Sequence, residues 1–127
     1  LYPEYNPKNP SLFNIVLNIK KPSINAPDSG TLGRLNLGFL VNTSEEIRLI
    51  GDPSLSKRDF KRVSDPLTKF GAILKLKNDK NLPLIIRGSA DLKPISYLEK
   101  KGSAQCKSSI IFAGLRTDGT TIIKAKI

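Results

Sequence analysis

"SSIIFAGLRTDGTTIIKAKI", residues 108–127, is two Ile-rich runs joined through Thr117-Asp118-Gly119. Asp-Gly supplies the positive φ that tight hairpin turns require, and the flanking runs have the composition of strands. The stretch reads as a β-hairpin, and that reading sets the expectation for the rest of the chain. Antiparallel hairpins build sheets without crossover helices.

Upstream segments carry a matching two-residue period. "GAILKLKN" (71–78) alternates Leu74 and Leu76 with Lys75 and Lys77. "RLNLGFLVN" (34–42) sets Leu35, Leu37, Phe39 and Val41 against Arg34, Asn36, Gly38 and Leu40. "LFNIVLNIK" (12–20) and "EIRLIG" (46–51) extend the series. "LPLIIRG" (82–88) holds Pro83, which places it at a sheet edge or a strand start. "DLKPISYLEKKG" (91–102) reads either as a short helix or as an eighth, edge strand. Strict alternation puts one face of each strand on a core and the other in water.

The expected fold is therefore all-β: an antiparallel β-sandwich, Ig-like or small and barrel-like, of about seven strands with one short helix. Parallel βαβ architecture is not expected, because no long stretch shows a helical apolar period. No internal repeat is evident. The chain divides into a Pro-rich extended arm, residues 1–11, and a single sandwich domain, residues 12–127. Leu1 and the absence of Met fit a processed or excised chain.

The one expected helix lies in "SLSKRDFKRVSDP" (54–66). Ser56 has the N-cap position, with Asp59 three residues on, and Leu55 and Phe60 have the spacing of a hydrophobic staple. Phe60 and Val63 would face the core. Lys57, Arg58, Lys61 and Arg62 would form the outer face of about two turns, stopped before Ser64-Asp65-Pro66.

Charge and inventory set the functional expectation. The formal net charge is +10, and residues 54–127 carry all of it. Such asymmetry points to an acidic partner. The chain has 0 His, 0 Met and 1 Cys, which leaves no Ser-His-Asp triad, no Cys-His pair and no ordinary zinc or copper ligand set. Most carboxylates sit beside Gly, Pro, Ser or Asn, where Asp bonds its own backbone. Cys106 reads as a small residue at a strand start. No phosphate-loop or dinucleotide glycine pattern is present.

By elimination the chain reads as a non-catalytic structural or assembly module of a larger complex, binding acidic protein surfaces and using no cofactor. The alternative is a nonspecific module for single-stranded nucleic acid. The candidate partner-binding residues are Lys57, Arg58, Lys61 and Arg62, joined by Lys75, Lys77, Lys124 and Lys126. The last four would make a basic stripe if their strands are neighbours in one sheet.

Overall fold

A computed structural model of the chain describes residues 22–125. The arm, the candidate strand at 12–20 and Lys126 lie outside these residues.

The decisive stretch is a helix followed by a strand, and the expected hairpin is absent. Ala104–Leu115 is α-helical, the chain turns at Gly119 with φ +97°, and Ile122–Ala125 is extended. Asp118-Gly119 makes a turn as expected, but the turn joins unlike elements. The helix pattern is carried by small residues. Cys106, Ser109, Ile110 and Ala113 are its buried positions, spaced i, i+3, i+4 and i+7. Counting only bulky apolar residues hides that stripe.

The same error recurs at 34–42. Gly30–Phe39 is helix α1, with Gly30, Gly33, Leu37 and Gly38 buried, and a 3-10 turn follows at Leu40–Asn42. The buried side is mostly glycine, so an apolar count finds only the accidental alternation of Leu35, Leu37 and Phe39.

Strand β1 (Ser23–Asn25), helix α1 and strand β2 (Glu46–Ile50) form a βαβ unit, because β1 and β2 pair in parallel. The helical turn α2 (Pro53–Ser56) and helix α3 (Lys61–Phe70) come next. Strands β3 (Ile73–Lys77) and β4 (Asn81–Arg87) then complete a four-stranded sheet of order β1-β2-β4-β3. A second βαβ unit follows: β5 (Ser96–Glu99), helix α4 (Ala104–Leu115) and β6 (Ile122–Ala125), again with parallel strands. The molecule is thus mixed α/β, contrary to the all-β sandwich, and contains two of the crossovers that periodicity excluded. The two units make a repeat of structure that residue identities do not announce.

Pro83 lies in an interior strand, since β4 pairs with both β2 and β3. Its missing N–H costs little there. The β2 register ends at Leu84, and the β3 register shifts between Leu76 and Lys77, which pair with Leu84 and Asn81. Pro83 occupies the gap.

The expected helix also moves. Residues 57–60 form a break, not a helical face, and α3 begins at Lys61 with the Asp59 carboxylate accepting the Lys61 N–H at 2.7 Å. Pro66 does not stop it. The helix runs to Phe70 and ends on Gly71, whose φ is +119°. An interior proline costs about 3 kcal/mol. Burial of Val63, Leu67 and Phe70 offsets this at roughly 1.5–3 kcal/mol each. Leu55, Phe60 and Val63 are buried as expected, but Ser56 ends the turn α2 and Phe60 holds the N-cap position of α3, so the expected capping box and staple do not form. With Leu37, Leu49, Leu84, Ile86 and Ile110 they form the core.

Helices α1 and α4 pack closely side by side. A Cβ at Gly38 would fall on the backbone carbonyl of Ser109, so only glycine permits this approach. Phe39 stacks on Phe112, with ring centroids 4.2 Å apart. Thr31 meets Gln105 at the other end, so the helices run parallel and their N-termini lie together. No described helix is long and apolar enough to cross a membrane.

Candidate functional site

The site is built on those paired N-termini. Each helix opens on a serine with extended φ/ψ. The Ser29 hydroxyl accepts the Leu32 N–H at 3.0 Å, and the Ser103 hydroxyl accepts the Cys106 N–H at 3.2 Å. Two helix dipoles therefore point their positive ends at one region.

A polar relay ties the ends together. Gln105 Nε2 donates to Thr31 Oγ1 at 2.7 Å, and Gln105 Oε1 accepts from Arg34 Nη1 at 2.6 Å. Arg34 Nη2 donates to the Asp59 carbonyl at 3.0 Å, and its guanidinium lies 5.2 Å from the Phe60 ring centroid. Arg34 thereby fixes both the helix pair and the 57–60 segment.

That segment carries Arg58. A Cβ added to Gly30 would lie 2.9 Å from Arg58 Nη1 and 3.3 Å from Arg34 Nη1, so both guanidinium groups converge over the start of α1. The backbone around Arg58 is held by β4 and the turn before it. Asn81 Nδ2 donates to the Arg58 carbonyl at 3.1 Å, and the Phe60 N–H donates to the Lys80 carbonyl at 2.8 Å. Partial burial, then the positive charge of Arg58 and, more weakly, that of Arg62 lower the Arg34 pKa. Gathering cations in this way costs free energy unless an anion joins them. Cys106, buried in the first turn of α4, has its thiol pKa raised chiefly by desolvation, against its hydrogen bond with Ser103. It is held as a neutral thiol rather than a nucleophile.

Of the residues expected to bind a partner, Arg58 belongs to this site and Arg62 flanks it. Lys61 does not join them; its Nζ bonds Asp79 at 3.0 Å. Lys57 and Lys77 border a separate surface groove. Lys75 and Lys77 lie on β3, at the edge of the four-stranded sheet, while Lys124 lies on β6 of the other sheet. The proposed single-sheet stripe therefore does not form from the described residues, and Lys126 is not among them. Thr31, Arg34 and Gln105 were not singled out by sequence pattern. Their signal is local: Ser29-Gly30-Thr31 and Ser103-Ala104-Gln105 both place a cap and a polar second residue at a helix start. Among the described residues, no three His, Cys, Asp or Glu side chains gather as a metal ligand set.

Fold and site define an α/β protein with paired crossover helices whose N-termini and arginines converge on one region. Comparison with known proteins makes the class specific. The profile of EPSP synthase (3-phosphoshikimate 1-carboxyvinyltransferase) matches residues 13–127, and the chain belongs to that family. The 3-phosphoshikimate 1-carboxyvinyltransferase of Endomicrobium trichonymphae is 47% identical over 107 residues, covering 84% of this chain and 25% of the relative. That of Ruthia magnifica subsp. Calyptogena magnifica is 44% identical over 124 residues, covering 95% of this chain and 28% of the relative. The 2.37 Å structure of EPSP synthase from Acinetobacter baumannii superposes with a TM-score of 0.79 at 34% identity, over 84% of this chain and 24% of that one. The chain spans 25–28% of the length of these curated relatives. Membership in an enzyme family overturns the reading as a non-catalytic assembly module. Elimination failed because it tested for His-based, metal, carboxylate and glycine-loop sites, and the described site is built instead from helix N-termini, arginines and a glutamine.

Proposed function

We propose that this chain supplies one wall of the substrate site of a 3-phosphoshikimate 1-carboxyvinyltransferase. The name of the relatives' activity specifies a phosphorylated substrate and a transferred group that bears a carboxylate. Both are anionic. The observation that carries the reading is the convergence of Arg34 and Arg58 over Gly30, beside Gln105. Two helix N-termini and two guanidinium groups, that of Arg34 fixed by hydrogen bonds before binding and that of Arg58 carried on an anchored backbone, complement phosphate or carboxylate oxygens.

The chemical role that follows is positioning and charge stabilisation. Donors already held in place need no reorganisation as charge develops, and an oriented anion gives the reacting groups a high effective concentration. Gln105 contributes by locking Arg34, and Thr31 by locking Gln105.

The test is titration of the chain with 3-phosphoshikimate, followed through the amide resonances of Gly30, Thr31, Ala104 and Gln105. Removing one charge-assisted contact costs about 1.5–3 kcal/mol, so Arg58→Ala should weaken binding by roughly 10- to 150-fold. Affinity unchanged from that of the unsubstituted chain in both Arg58→Ala and Arg34→Ala would overturn the reading.

A further inference from the structure

A second cleft, of about 560 Å³, lies between α3 and β5. Ser96, Tyr97, Leu98 and Glu99 all line it. Alternate residues of a strand point to opposite faces, so four consecutive lining residues mean that the cleft runs along the edge of β5. The hydrogen bonding agrees. The Ile122 N–H donates to the Ile95 carbonyl at 2.9 Å, and Ser96 and Leu98 register with Ile122 and Lys124. In that parallel ladder the odd-numbered residues of β5 face β6. Ser96 and Leu98 turn their N–H and C=O groups the other way. Among the described residues β6 is the one strand paired with β5.

The rim of this edge is basic. Lys61, Arg62, Lys69, Lys100 and Lys101 line the cleft with Asp59, Asp65 and Glu99. Two of the three acids are engaged. Glu99 is buried, its carboxylate oxygens accepting the Lys101 and Ser103 N–H groups at 3.1 and 3.0 Å, and Asp59 caps the Lys61 N–H. Lys61 is paired with Asp79. Those backbone bonds orient Asp59 and Glu99 without removing their charge, so five cations face three carboxylates and the lining keeps a net positive charge. Lys69 sits 5.1 Å from the Tyr97 ring centroid, on the inner face of β5, while Leu98 on the outer face is 48% exposed.

We propose that this cleft binds an extended acidic polypeptide as a strand added to the edge of β5 that is unpaired among the described residues. The main chain of the added strand would pair with Ser96 and Leu98. Its acidic residues would fall beside Lys69, and its apolar residues beside Leu98. Main-chain pairing gives affinity, and the alternation of charge with apolar residues gives specificity. This inference is independent of the anion site, because none of its substitutions touches Arg34, Arg58 or Gln105 and binding at that site would be read separately at Gly30 and Gln105.

The experiment titrates the chain with Ac-EVEVEVE-NH2 at low salt and reads amide exchange. Binding should slow exchange of the Ser96 and Leu98 N–H groups. The same peptide N-methylated at alternate residues keeps its charge but loses donors, and should bind at least tenfold more weakly. Lys100→Glu/Lys101→Glu, at exposed positions, should weaken the unmodified peptide about fivefold or more. Three results would overturn the proposal: Ser96 and Leu98 amides already protected in the free chain, equal affinity for the N-methylated peptide, or shifts confined to Gly30 and Gln105.

Discussion

Two glycines of α1 show how one methyl group can have opposite local logic from its helix propensity. Replacing a helical glycine by alanine normally gains up to about 1 kcal/mol. At Gly38 the new Cβ would fall on the Ser109 carbonyl, a backbone group that cannot swing aside as a side-chain end can, so the two helices would have to separate. Overpacking costs about 1–3 kcal/mol or more, so Gly38→Ala should lower stability, measurable as a reduced urea midpoint. At Gly30 the obstacle is the far end of a flexible side chain, Arg58 Nη1 at 2.9 Å. The arginine can swing away at small cost to folding. Gly30→Ala should therefore leave the urea midpoint nearly unchanged while weakening phosphate binding several-fold, because Arg58 no longer sits over the helix start. A stability loss at Gly30 as large as that at Gly38 would contradict this account.

At the scale of elements, legibility depended on which residues carried the period. Strands β2 and β3 were legible because Leu49, Leu74 and Leu76 are bulky and point inward on alternate positions. Helices α1 and α4 were not, because each buried face has one bulky residue, Leu37 or Ile110, among Gly, Ser, Ala and Cys. Small residues there serve close helix approach, and an apolar count treats them as silence. The same blindness hid the site: Arg34 looked like the outward residue of a strand, and Gln105 falls in what reads as the start of another. Arg58 was visible through charge alone, though its segment forms a break held by Asn81 rather than a helical face. The two serine caps are the features that sequence could have yielded. Each should contribute about 1 kcal/mol, so Ser103→Ala and Ser29→Ala should each lower the unfolding free energy by roughly that amount. Ser103→Ala should also raise the Cys106 thiol pKa further, since the hydroxyl's hydrogen bond is what opposes desolvation there. Thiol reactivity against pH in native protein would read that shift directly.

For the whole molecule, the pKa shifts on the alkaline side mostly share one sign. Desolvation raises Cys106 above its ordinary 9.0 and Tyr97 above 10.0, and the hydrogen bond with Asp79 raises Lys61 above 10.5. In each case the folded state holds its proton more tightly than the unfolded chain. The contribution of such a group is fully present below its unfolded pKa and is lost as pH rises toward the folded value. Stability should thus be level through neutral pH and fall as pH climbs past about 9, the earliest of these ordinary values. Cys106 starts the decline because its unfolded pKa is the lowest of the three. Cys106→Ala removes the thiol from a site with little room to spare, so it should cost some stability at pH 7. It should also delay the onset of the alkaline loss, leaving the later part due to Tyr97 and Lys61. Urea midpoints of both chains between pH 7 and 11 test this. A decline of identical onset in Cys106→Ala would mean that the buried thiol is not linked to folding, and that the alkaline loss begins elsewhere.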